Sequence, residues 1–104
     1  MSNPTYEIVT FRAADGITDE DLRTRAADVQ TWVAQQPGYR SRTLLRTGDG
    51  EYVDLVQWAS LADAQAAAKL IGTAKAAGAF MQAINGPSVV MRHAAVALAF
   101  DEKS

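Results

Sequence analysis

The apolar positions of this chain change period several times, and each change marks an element. Residues 5–12 (TYEIVTFR) mix β-branched and aromatic side chains and stop before Asp15-Gly16, which predicts a strand. Thr18-Asp19-Glu20-Asp21 carries the marks of a helix start, a capping hydroxyl followed by acids in the first turn. Leu22, Ala26, Val29 and Val33 then recur at helical spacing as one stripe, and Pro37-Gly38 ends that helix. Residues 39–47 (YRSRTLLRT) and 51–59 (EYVDLVQWA) are strand-like runs around Gly48-Asp49-Gly50, which reads as a β-hairpin with a glycine-bearing turn. Ser60 with Asp63 three residues on repeats the cap signal, and an alanine-rich helix follows through Ile71. Gly72-Thr73 interrupts it, and a shorter helical piece continues through Phe80, Met81 and Ile84. Asn85-Gly86-Pro87 breaks the pattern, and residues 88–100 are predicted as the last strand.

The order β-α-β-β-α-β is the split βαβ, ferredoxin-like arrangement, an α+β fold with a four-stranded antiparallel sheet. Both crossovers place their helices on one sheet face. The other face stays open in a monomer, and an open face carrying Val, Leu, Trp and Tyr calls for a partner. A twofold homodimer through that open sheet face is the simplest closure.

Composition narrows the function classes. The 104 residues fit a single domain, 1–104. Scaling of folded against unfolded surface lets roughly 65% of the chain's surface be buried, a thin core that dimerisation would help. With 48% hydrophobic and 21% charged residues the chain is a folding one. A net charge of −2, its basic residues interspersed with acids, argues against a nucleic-acid partner. Cysteine is absent, which removes disulfides, thiolate nucleophiles and Cys-ligated metals. Residues 1–4 show no targeting signal, and the longest apolar run, 89–100, is broken by Arg92-His93 and too short to span a bilayer. A cytoplasmic protein without a membrane partner is the expectation.

The hairpin register decides where the candidate chemistry lies, and two registers fit. A two-residue turn on Asp49-Gly50 pairs Arg46 with Val53 and Leu44 with Leu55. A turn one residue longer pairs Arg46 with Tyr52, Arg42 with Val56 and Leu45 with Val53. A one-residue slip exchanges the faces. The longer turn segregates polarity better and is preferred: Leu45, Val53 and Leu55 go toward the helices, while Arg40, Arg42, Arg46, Tyr52, Asp54 and Trp58 go to the open face. There, Asp54 falls within reach of Arg42 or Arg46, flanked by Tyr52 and Trp58. Apolar walls with a few orienting groups suit a small-molecule pocket; a half-wet interface with a cross-strand ion pair is the structural alternative. His93, the sole histidine, cannot build a multi-histidine metal site. It suits a general base, or a structural histidine bonded to a carboxylate or to backbone. Trp32 reads as core or interface. No phosphate-binding glycine loop, G-x-S-x-G elbow or H-E-x-x-H motif occurs.

The run P-G-Y-R-S-R-T-L-L (37–45) followed by Y-V-D-L-V-Q-W-A-S-L-A-D-A (52–64) resembles the antibiotic biosynthesis monooxygenase family. The shared marks are Pro-Gly-aromatic opening the second strand and a tryptophan ending the third, just before a capped helix. S-V-V-M-R-H (88–93) is similar to the last strand of members of the same dimeric α+β-barrel superfamily. The resemblance implies a homodimer with a ligand cavity between sheet and helices in each protomer. It also implies, in some members, oxidation of anthrone-type or quinol-type aromatics by O₂ without metal or flavin, so that no cofactor is expected. A small aromatic ligand would be held with Arg42 stabilising an anion, His93 or Asp54 taking a proton, and Trp58 and Tyr52 flanking the ring. A non-catalytic ligand-binding or stress-responsive dimer is the alternative. The haem-degrading branch relies on an asparagine in the first strand and a tryptophan and histidine along the second helix. Here the first strand has no asparagine, and the helix positions fall near Ala66 and Ala76, which argues against haem degradation.

Overall fold

The computed structural model describes residues 4–100. Four strands, β1 (Thr5–Phe11), β2 (Tyr39–Arg46), β3 (Tyr52–Trp58) and β4 (Val90–Ala95), form one antiparallel sheet in the order β2-β3-β1-β4. This is the ferredoxin-like topology that the element order predicts. Among the described residues no helix is long and apolar enough to cross a membrane.

The first helical segment is more broken than the sequence pattern predicts, and the second breaks where Gly72-Thr73 predicts. The first is α1 (Asp19–Asp28), capped by the Thr18 hydroxyl accepting from the Asp21 amide, and a separate short α2 (Gln30–Ala34). The single stripe of Leu22, Ala26, Val29 and Val33 runs through the break because all four remain buried on either side of it. The second is α3 (Leu61–Ile71), capped by Ser60, then a 3-10 turn over Lys75–Ala77 and a short α4 (Gly78–Gln82). The last strand is also shorter than expected. Gly86–Ser88 is a 3-10 turn, and β4 stops at Ala95 opposite Thr5, where β1 begins, with one further bond from the Val96 amide to the Pro4 carbonyl at 3.1 Å.

The hairpin takes the longer of the two registers, with Arg46 opposite Tyr52, Leu45 opposite Val53 and Arg42 opposite Val56. The face assignment, however, is the reverse of that expected. Tyr52, Asp54, Val56 and Trp58 alternate as buried residues beneath the helices, and Val53, Leu55 and Gln57 lie on the open face. Sorting by polarity misleads here for two reasons. The aromatic rings carry the largest apolar area to bury, and Phe11, Tyr52 and Trp58 all share this parity across the register. The charges that accompany them satisfy one another, so they go inside with the rings. Leu45, about half exposed, and Val90 remain on the uncovered side with Ile8 and Leu55.

The core joins the helix-facing side of the sheet to the roof above it. Leu22, Val29, Val33, Ala64, Ala67 and Phe80 pack on Phe11, Tyr52, Val56 and Trp58. Phe11 stacks on Tyr52 with ring centroids 5.5 Å apart and meets Phe80 edge-on at 5.9 Å. Such pairs add about 0.5–1.5 kcal/mol each beyond area burial. At the start of β2, a bulge between Tyr39 and Ser41 leaves Tyr39 opposite Trp58. Tyr39 therefore faces inward and packs edge-on against Trp58 at 6.0 Å, although it stands an odd number of positions from the inward-facing Arg42. Gly38 just before it has φ +83°, and a Cβ there would run into the Asp63 side chain. The Pro-Gly-aromatic sequence thus marks a place where only glycine lets the strand pass under α3.

Candidate functional site

Sheet and helices do not close completely on each other. Between them lies a cavity of about 380 Å³, within the range typical of small-molecule sites. Val9, Phe11, Val56, Trp58 and Met91 form its floor, and Trp32, Ala67, Ile71, Phe80 and Met81 contribute to its roof. Only three ionisable side chains line it, Glu7, Arg42 and Asp54, and all three rise from the sheet.

Arg42 and Asp54 are locked together. The guanidinium donates from Nε to Oδ1 at 3.0 Å and from Nη2 to Oδ2 at 2.8 Å, the two-pronged geometry that favours arginine over lysine. Its Nη1 donates to the Ala26 carbonyl at 2.8 Å and more weakly to Gln30 Oε1 at 3.4 Å. Gln30 in turn donates to the Tyr39 hydroxyl at 2.8 Å. The Phe80 ring lies beneath the guanidinium, 5.6 Å from its carbon to the centroid. One side chain on the sheet therefore ties down a carbonyl near the end of α1 and the first residue of α2. The pair is nearly dry, with side-chain exposures of 8% and 11%.

Glu7 is the residue that sequence reasoning missed. Its Oε2 lies 3.2 Å from His93 Nε2 across the β1–β4 pairing, in which the two residues stand directly opposite. Oε1 has no hydrogen bond among the described residues, and it is not sealed away as a buried orphan. Burial raises the Glu7 pKa; the hydrogen bond and charge of His93 pull it back down, and the nearby Asp54 pushes it up. The available signal was parity. Glu7, Val9 and Phe11 alternate along one strand, so a carboxylate was bound to share the face of the two apolar residues.

The other expected site residues divide. Arg42, Asp54 and Trp58 do line the cavity. Tyr52 is buried beside it but is not part of its wall. Its hydroxyl donates to Asp19 Oδ1 at 2.6 Å, at the start of α1, and Arg46 lies over its ring. Burial and that hydrogen bond raise the Tyr52 pKa, and the same bond lowers that of Asp19. His93 stands behind Glu7 rather than in the lining. Trp58 brings one peculiarity: its indole Nε1–H is sealed from solvent with no hydrogen-bond partner among the described residues. An unmet buried donor costs about 1–3 kcal/mol.

No protein-family model matches the chain, and no curated protein matches it. Its fold recurs in solved structures of low sequence identity. A point mutant of SnoaB, a cofactor-independent oxygenase from Streptomyces nogalater, superposes with a TM-score of 0.77 at 18% identity, covering 97% of this chain and 100% of that one. The haem-degrading protein Rv3592 from Mycobacterium tuberculosis gives 0.71 at 23% identity, covering 98% and 100%. A provisionally named antibiotic biosynthesis monooxygenase from Bordetella bronchiseptica gives 0.75 at 14% identity, covering 93% and 100%. The α+β fold of this chain is thus shared with these structures over nearly its whole length.

Proposed function

We propose that the protein binds a small, largely apolar aromatic molecule in the cavity between sheet and helices and oxidises it with O₂ without a cofactor. The observation that carries this reading is the largely apolar cavity between sheet and helices with Glu7, Arg42 and Asp54 confined to its sheet side. The shared fold of a cofactor-independent oxygenase supports it. For an anthrone-like phenolic, a ring methylene becomes a carbonyl, one oxygen atom of O₂ entering the product and the other leaving as water. The protein's share is to hold the ring away from bulk water, which strengthens every electrostatic contact, and to accept a proton from the substrate. Of the candidates for that proton, Asp54 spends both oxygens on Arg42, and His93 lies behind Glu7. Glu7 Oε1 is the unengaged base, with His93 holding the other oxygen. Arg42 contributes positive potential near the developing anion, moderated by Asp54. Trp58 flanks the ring.

The same reading includes a homodimer closed across the uncovered sheet face, where Leu45 and Val90 stand about half exposed beside Val53 and Leu55. Replacing Val53 by Lys is expected to convert a dimer to a monomer in light scattering. A monomeric wild type would remove this part.

One observation favours a non-catalytic binder instead: every nitrogen of Arg42 is already engaged, so no cation is left unpaired in the cavity. Two measurements separate the readings. A bound aromatic at 100 times its dissociation constant stabilises by about 2.7 kcal/mol, a melting shift of about 10 °C or more for a domain of this size. Oxygen uptake with the same compound then distinguishes turnover from binding, and Glu7→Gln is expected to lower kcat about 100-fold or more. Stabilisation without oxygen uptake would leave the binder.

A further inference from the structure

The cavity holds two carboxylates, Glu7 and Asp54, against one guanidinium, Arg42. Asp54 neutralises Arg42 through two hydrogen bonds at 3.0 and 2.8 Å, and the cation's remaining nitrogen is occupied by Ala26 and Gln30. The charge that no cation of the lining itself offsets is therefore that of Glu7, whose Oε1 is the one carboxylate oxygen there without a hydrogen bond among the described residues. His93 bonds the opposite oxygen at 3.2 Å and so leaves Oε1 as the oxygen available to a ligand. Besides burial, the groups that set the charge state of Glu7 are His93 on β4 and Asp54 on β3; Arg42 on β2 is paired with Asp54. The helical side of the cavity contributes no ionisable group to the lining.

From this arrangement, and resting on the proposal that the cavity is a ligand site, we infer that Glu7 determines specificity by selecting an uncharged hydroxyarene, bound through an O–H donated to Oε1, and by excluding aromatic carboxylates. An anionic ligand would meet Glu7 in a medium of low dielectric with no free cation to offset it, and would surrender its hydration as well. An ether of the same shape would leave the carboxylate oxygen unmet. A fixed ammonium would find one carboxylate oxygen and otherwise hydrocarbon walls, too little to replace its water. His93 is a positioning residue that acts through Glu7, orienting the carboxylate and favouring its ionised form.

Four bicyclic probes of one shape test this: 2-naphthol, 2-methoxynaphthalene, 2-naphthoate and 2-naphthylmethylammonium, with affinities read from tryptophan fluorescence. The wild type is expected to bind naphthol about tenfold or more tighter than the ether and to bind neither ion measurably. Glu7→Gln should cut the naphthol preference and admit naphthoate. In His93→Gln the exclusion of naphthoate should persist at neutral pH but collapse at a higher pH than in wild type as the solution is acidified, because His93 no longer holds the Glu7 pKa down. A histidine serving only to stabilise the sheet would move the melting temperature and not that pH profile. Naphthoate or the ammonium ion binding the wild type as well as naphthol does would overturn the inference while leaving the cavity a ligand site. Unchanged selectivity in Glu7→Gln would overturn it equally. Failure of all four probes to bind the wild type would remove the ligand-site reading and this inference together.

Discussion

Arg42–Asp54 and Glu7–His93 bury charge on the same side of the same sheet, yet they are completed to different degrees. In the first, both oxygens and all three nitrogens have partners, and the network extends into α1 and α2. In the second, one contact at 3.2 Å uses one oxygen and leaves the other without a partner among the described residues. A completed pair anchors the fold, and an incomplete one at a cavity wall retains capacity for a ligand. A third pair, Arg12–Asp49 at 3.1 Å near the hairpin turn, has exposed partners and illustrates the case in which neither use is strong.

Mutations that break these pairs should rank in that order. Arg42→Ala strands the Asp54 carboxylate in a dry site and also frees the Ala26 carbonyl, so a loss of about 3–5 kcal/mol is expected in urea unfolding. Replacing both partners together, Arg42→Met with Asp54→Leu, should recover most of that loss, since an apolar pair carries no stranded charge. A double variant as unstable as the single one would mean that Arg42 matters for its reach to the helices rather than for its charge.

Glu7→Gln has the opposite sign. The Glu7 pKa is raised above 4.5 by burial, so its contribution to stability is fully present below that pH and lost as pH rises through its folded value. The glutamine variant should therefore gain on the wild type as pH rises from the acid side to neutrality, visible as a melting temperature that climbs relative to wild type across that interval. An advantage that shrank with rising pH would show that the His93 interaction outweighs the burial of the charge. Arg12→Ala closes the series with a cost within about 1 kcal/mol, smaller still in high salt.

The sequence pattern made the topology and the two helix caps legible. Thr18 and Ser60 accept from amides three residues on. The hairpin was legible down to two registers, and polarity picks the right one, with Arg46 opposite Tyr52, while assigning its faces the wrong way round. Which face of β3 goes inside was not legible, since both parities of residues 52–58 carry apolar side chains and the deciding feature lies elsewhere. Phe11 on β1 and Phe80 on α4 complete an aromatic layer only with Tyr52 and Trp58. The same inversion moved Arg42, Asp54 and Trp58 from the uncovered sheet face to the cavity beneath the helices without changing any of their strand partners. Glu7 escaped notice because a lone carboxylate in a strand gains meaning only from its neighbours across the sheet, and those lie far along the chain, at Asp54 and His93. The end of β4 is likewise a long-range matter, fixed by where β1 begins.

The bulge at the start of β2 lets this chain absorb the gain or loss of a single residue. Removing Arg40 would restore regular alternation with Tyr39 still opposite Trp58, so its hydroxyl would keep Gln30, its ring would keep Trp58, and Arg42 would keep its place. A lineage could thus delete a single codon here and leave both the aromatic corner and the charged floor intact. Length variation among homologous chains at this point should cost less than at any other position of β2, where one residue more or less exchanges the faces.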